Sequence, residues 1–164
     1  MTLENAKDWT EIVGVVLAVA TLIKGLYEYR KQAAQRRAEH FIQMRDRYDE
    51  FLDICTLLEQ DGASERARQE LCKLPYSRKR DFLGFYEEIA LMMQSSLIKA
   101  KVAHYMFGYY AIRCWSNAAF WDSPESHLSR DSDYWGLFRE FVKKMEEIHK
   151  QNTSRPVNFR KYRI

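Results

Sequence analysis

Two stretches carry residues whose types and spacing suit chemistry. Ser77-Arg78-Lys79-Arg80 stands where a helix is expected to begin, with Ser77 as its N-cap. A helix N-terminus offers unpaired N–H groups and the positive end of a dipole, so anions settle there. Cations are ordinarily disfavoured in a first turn. Three in a row call for an acid: a bound phosphate, or Asp81 with acidic neighbours such as Glu87. The second stretch is YYAIRCW, with Arg113 among aromatics. A guanidinium there either pairs with a core carboxylate, Glu87 or Glu88, or points into a pocket to hold a phosphate or a base. Tyr105, Tyr109 and Tyr110 could stack on bases, though tyrosines at this spacing are more often core. The expected ligand-binding set is Arg78, Lys79, Arg80, Arg113 and Tyr109. The basic tail residues Arg155, Arg160, Lys161 and Arg163 could clamp a polyanion, lie on anionic lipid, or simply be solvated.

Other chemistry finds little footing. Histidines stand at 40, 104, 127 and 149, with neither His-Glu-x-x-His nor Cys-x-x-Cys. Glu146 and His149 form one Glu-x-x-His, half of what a di-iron bundle needs, and read best as a surface pair. Cys55, Cys72 and Cys114 are widely spaced and read as reduced core residues. There is no Gly-x-Ser-x-Gly and no glycine-rich phosphate loop. Glu87 and Glu88 are adjacent and point to different helix faces, a poor acid–base pair. No enzyme activity, metal or cofactor is expected.

The elements that must position these residues are helical. Trp9 to Tyr29, WTEIVGVVLAVATLIKGLYEY, reads as a single membrane span: Ile12 to Ile23 carries no charge, and Trp9, Tyr27 and Tyr29 suit the two interfaces. Lys24 is near enough to the end to snorkel. Acids Glu4, Asp8 and Glu11 precede the span, whereas Arg30, Lys31, Arg36 and Arg37 follow it. The positive-inside rule then predicts an N-terminus outside and a cytoplasmic remainder. From Arg30 to Gln60 there is neither Gly nor Pro, and Phe41, Met44, Tyr48, Phe51, Cys55 and Leu58 alternate in steps of three and four. That is a heptad seam, able to continue the span as one rod and to hold parallel subunits together, or else to pack within the chain. Ile42, Leu52, Ile54 and Leu57 widen its apolar face.

Asp61-Gly62 is expected to end the rod, with Gly62 as a C-terminal cap. Ser64 is expected to cap a short helix to about Leu74, which Pro75 ends. The helix after Ser77 carries Phe82, Phe85, Tyr86, Ile89, Met92 and Met93, and Gln94-Ser95-Ser96 ends or kinks it. An aromatic helix follows from about Ile98 to Trp121, then a polar loop, Asp122 to Asp133. Ser132 or Asp133 caps a last helix, to about Gln151, with its seam at Tyr134, Phe138, Phe141, Met145 and Ile148. The predicted architecture is all-α: residues 1–29 with the transmembrane helix, a cytoplasmic helical bundle over 30–151, and a basic tail over 152–164. The net charge of +3 gathers at the juxtamembrane and tail segments rather than along one face, which argues against DNA binding.

DFLGFYEEIALMMQSSLIKAKVAHYMFGYYAIRCW resembles the core of small bacterial anchored proteins of unknown function. In those, a FLNFFEEIA-type helix precedes one of the type FGYYxxRxW; the resemblance implies no enzyme. The overall plan also resembles membrane effectors of bacterial antiviral defence that sense a cyclic oligonucleotide. These likenesses lead to the expectation of a membrane-anchored homo-oligomeric sensor and signalling effector. Its helical domain would bind an anionic ligand such as a cyclic nucleotide and act on membrane lipid. The alternatives are an adaptor docking a protein partner through the aromatic helix, which an exposed apolar patch around Tyr109 would favour, and a regulator lying on anionic headgroups.

Overall fold

The computed structural model describes residues 3–61, 64–122 and 128–153, with side chains over 14–32, 35–61, 64–122 and 128–152. Gly62, Pro124, His127, the side chain of Trp9 and the basic tail from Ser154 therefore lie outside the described residues. Two compact units make up the chain, Met1–Glu39 and His40–Ile164. The described elements are helical: α1 (Leu3–Asp49), α2 (Leu52–Gln60), α3 (Glu65–Lys73), α4 (Tyr76–Gln94), α5 (Ala100–Ala103), α6 (Tyr109–Ser116), α7 (Ala118–Trp121) and α8 (Gly136–Thr153). A π-helical turn, His104–Gly108, joins α5 to α6, and a 3-10 turn, Asp133–Trp135, leads into α8.

In the first unit the apolar residues of α1 lie open: Val15, Val16, Leu17, Val19, Leu22, Ile23 and Leu26 are all exposed. They are not the buried face of a core helix. The expected membrane span nevertheless lacks support, because no helix among the described residues is long and apolar enough to cross a membrane. Described side chains begin at Gly14, and an 18-residue window from there takes in Lys24, Glu28, Arg30 and Lys31.

The second unit is built round α4, whose Phe82, Leu83, Phe85, Tyr86 and Ile89 have no solvent exposure. Tyr86 packs its ring at 5.4 Å from Phe138 and 5.7 Å from Phe141 of α8, and Phe85 meets Phe107 edge-on at 5.6 Å. Such tilted and edge-to-face pairs add specificity to apolar burial. The predicted seam is turned into this core. Phe51, Cys55 and Leu58 are buried, while Phe41, Met44 and Tyr48 pack against it in part.

The rod is not continuous to Gln60. α1 stops at Asp49, and Glu50 and Phe51 donate backwards to Arg47 and Tyr48, the three-residue spacing of a tightened turn. Phe51 leaves helical geometry at φ −107° and ψ 11° because its ring is clamped between Phe82 and Phe85, both at 5.5 Å.

Ser64 caps α3 as expected, accepting from the Ala67 N–H. Ser77 does not cap α4. Pro75, with ψ 144°, occupies that place and α4 begins at Tyr76, since proline has no N–H to satisfy and its ring presets the entry. α4 ends at Gln94, followed by Ser96 in the left-handed region at φ 57°. The helix expected from Ile98 to Trp121 is interrupted twice, by the π turn and by the extended Asn117 (φ −87°, ψ 106°). On the last helix the seam enters through Trp135 rather than Tyr134, which is 87 % exposed.

Candidate functional site

A concavity of about 390 Å³ opens between the α5–α6 segment and α8, lined by His104, Tyr105, Tyr109, Ile112, Arg113, His149 and Asn152. The π turn shapes one wall. An extra residue in one helical turn rotates the residues after it, and such bulges are frequent at functional sites. Gly108 makes this turn fit: a Cβ there would come within 3.1 Å of the His104 ring and 3.3 Å of the Met145 Sδ. Tyr105 and Tyr109 stand outward, 69 % and 50 % exposed, while Phe107 and Ala111 of the same segment face the core.

Arg113 is held in place by neutral oxygens. Its Nε donates to the Leu58 carbonyl (3.1 Å), Nη2 to the Glu59 carbonyl (3.4 Å) and Nη1 to the Tyr109 hydroxyl (2.8 Å). It also lies over the Tyr109 ring, 5.5 Å from the centroid. The carbonyls belong to the last turn of α2, whose negative dipole end favours a cation. Among the described residues Arg113 has no carboxylate partner. Glu87 and Glu88 do not fill that role. Glu88 pairs with Arg47, through Nη1 and at 3.2 Å through Nη2. Glu87 is pushed up by burial and drawn back by the backbone N–H groups of Phe138 and Leu137, in the first turn of α8.

His104 and His149 face each other across the site, ring centroids 5.9 Å apart and planes tilted by 39°. Burial first, and His149 second, hold His104 below its ordinary value. Tyr110 turns away from the concavity. Its hydroxyl donates to Glu59 at 3.4 Å, its ring meets Tyr48 at 6.4 Å, and burial foremost raises its pKa.

The structure does not gather Arg78, Lys79 and Arg80 into one site. Arg78 donates to the Glu50 carbonyl and to Asp53, both at 2.8 Å, and covers the Phe51 ring. Arg80 bonds to Asp81 at 3.1 Å. Lys79 is shut into the core, its Nζ 3.5 Å from the Cys72 carbonyl and over the Phe120 ring at 5.4 Å. Of the expected ligand residues, Tyr109 and Arg113 share this cavity. Sequence reasoning missed His104 and His149 as partners. Glu146-x-x-His149 drew attention to α8, but the π turn displaces His104 from any regular helical register.

Chemically, the concavity combines exposed aromatic faces, an apolar floor at Ile112 and a guanidinium, a set that can hold an aromatic anion. The Cys55 and Cys114 thiols offer little nucleophilicity, since burial drives Cys55 up to about 11 and Cys114 well above the usual value. Among the described residues no group of three or more His, Cys, Asp or Glu is placed to hold a metal ion. No protein-family model, curated protein or solved structure matches the chain.

Proposed function

We propose that the chain is a membrane-anchored sensor, without catalytic activity of its own, whose helical unit takes up an aromatic anion between Tyr109 and Arg113. The observation that carries this reading is the shared wall: a guanidinium without a carboxylate partner among the described residues, beside two outward tyrosines, in a concavity of about 390 Å³. A nucleotide supplies both required chemistries, a base to stack and a phosphate for the guanidinium. Small ligands bind in concave, mostly apolar sites with few polar groups that fix orientation.

In its fullest form the ligand is a cyclic oligonucleotide, the chain is a homo-oligomer in a bacterial inner membrane, and binding reorients the anchors in antiviral defence. The anchor is the α1 segment whose exposed valines and leucines want a lipid or protein cover. The ligand must favour one arrangement of subunits over another for any such signal to pass.

Native mass spectrometry of the detergent-solubilised chain, with a panel of linear and cyclic nucleotides, tests the reading. The expected result is the mass of one nucleotide species on an oligomer, lost in Tyr109→Ala. An assembly indifferent to every nucleotide would sink it. Exposure of Tyr105 and Tyr109 also favours a second reading, an adaptor that seats a partner protein on the same face. That reading takes the lead if the tyrosines prove necessary for a protein complex and not for any nucleotide.

A further inference from the structure

We infer that anion capture beside Arg113 is coupled to proton uptake by the His104–His149 pair, so that acidification strengthens binding. This rests on the ligand-binding reading above.

The geometry comes from two elements that close on one cavity. His104 belongs to the π turn and His149 to α8, and both line the concavity that holds Tyr109 and Arg113. At 5.9 Å between centroids, the two rings resist carrying charge together. The His104 ring lies beside Gly108, where a Cβ would come within 3.1 Å of it. His149 stands near the end of α8, which ends at Thr153. With the cavity empty, Arg113 adds a further positive charge to the same wall. An anion seated there compensates Arg113 and a protonated imidazole together. It therefore raises the proton affinity of the His104 imidazole, which burial and His149 hold down.

Each packed element brings its own charged or titratable groups to the pair. α8 contributes His149 itself, with Glu146 and Lys150 nearby on that helix. α6 contributes Tyr109 and Arg113, the π turn Tyr105, and α5 Lys101. α1 reaches the π turn through Phe41 and Tyr48 against Phe107, and the Tyr48 hydroxyl is engaged with Cys55. Of these groups, His149 is the one whose field holds His104 down, after burial. Linkage then fixes the sign. A histidine whose pKa is raised by the ligand takes up a proton on binding, so affinity rises as pH falls through the histidine range. By reciprocity, the ligand and the proton strengthen each other by the same factor.

The test uses the full chain in detergent and naphthalene-2-sulfonate, a planar aromatic whose anionic group stays ionised across the range. Affinity is measured calorimetrically from pH 7.5 to 5.5. The expected result is a severalfold gain on acidification, bounded at about tenfold per pH unit for each proton taken up. His149→Gln, on an exposed position, is expected to flatten that profile with an unchanged far-UV circular dichroism spectrum, and His104→Gln to do the same. Binding in the unsubstituted chain that is flat with pH overturns the coupling and leaves the ligand site standing. Absence of binding at every pH, or binding indifferent to Arg113→Gln, overturns the coupling and the ligand reading together.

Discussion

Lys79 is the residue that departs furthest from where its chemistry would place it. A lysine is rarely enclosed without a charged partner, because desolvation penalises the ammonium. Here the only hydrogen bond from its Nζ among the described residues is a long one to the Cys72 carbonyl, helped by the Phe120 ring face. Burial is accordingly the first cause of its lowered pKa. The folded value lies below the unfolded one, near 10.5, so between the two the unfolded chain holds more protons. Stability contributed by this group therefore rises with pH through that window. Lys79→Met, close in volume and uncharged, is expected to stabilise the fold at pH 7 by about 1–3 kcal/mol. It should also remove the alkaline rise; chemical denaturation at several pH values from 7 upward, with both chains in parallel, reads both effects. A Lys79→Met chain less stable at pH 7 would mean the ammonium is better compensated than its contacts show.

At the scale of elements, the π turn and the last turn of α2 form one mechanical unit. Gly108 lets His104 and Met145 come close, and Arg113 ties α6 to the carbonyls of Leu58 and Glu59. Carbonyls in the last turn of a helix accept side-chain donors of this kind. Gly108→Ala puts a methyl 3.1 Å from an imidazole that is itself packed, so the π turn must shift. The expected cost is about 1–3 kcal/mol, with the His104 ring displaced in NMR spectra. A native melting temperature and native His104 resonances in Gly108→Ala would show the turn to be indifferent to that contact. The same contacts give a local physical account of the FGYY…R…W spacing: glycine for close approach, the first tyrosine as hydrogen-bond acceptor for Arg113 one turn on, and Trp115 against Trp121 and Phe138 at 5.7 Å and 5.9 Å.

At the scale of the whole molecule, the exposed apolar side chains of the first unit call for a cover. Proposed lipid burial makes a direct prediction. The full chain should co-float with vesicles of bacterial lipid composition, and Val16→Lys with Val19→Lys should abolish flotation while far-UV circular dichroism stays helical. Two charges at mid-segment would cost several kcal/mol in lipid. Flotation unaffected by both lysines would remove the anchor from the reading.

Much of this architecture was legible in the order of residues. Helix type, the Ser64 cap, the end of α4 at Gln94 and the inward faces of α4 and α8 follow from period, capping residues and the scarcity of Gly and Pro, which act over a few neighbours. Tyr109 and Arg113 could also be picked out, because one turn of helix places them together. Three things needed the tertiary structure. The break at Phe51 exists because Phe82 and Phe85 take hold of its ring. The dispersal of the basic run depends on the partners of Arg78, 25 and 28 residues away in Asp53 and Glu50, and on the enclosure of Lys79. The His104–His149 pair joins elements 45 positions apart through a π turn that no helical period anticipates. Local backbone preferences are written in neighbouring residues; which charge is paired, buried or left facing a cavity depends on contacts that form only when distant segments close on one another.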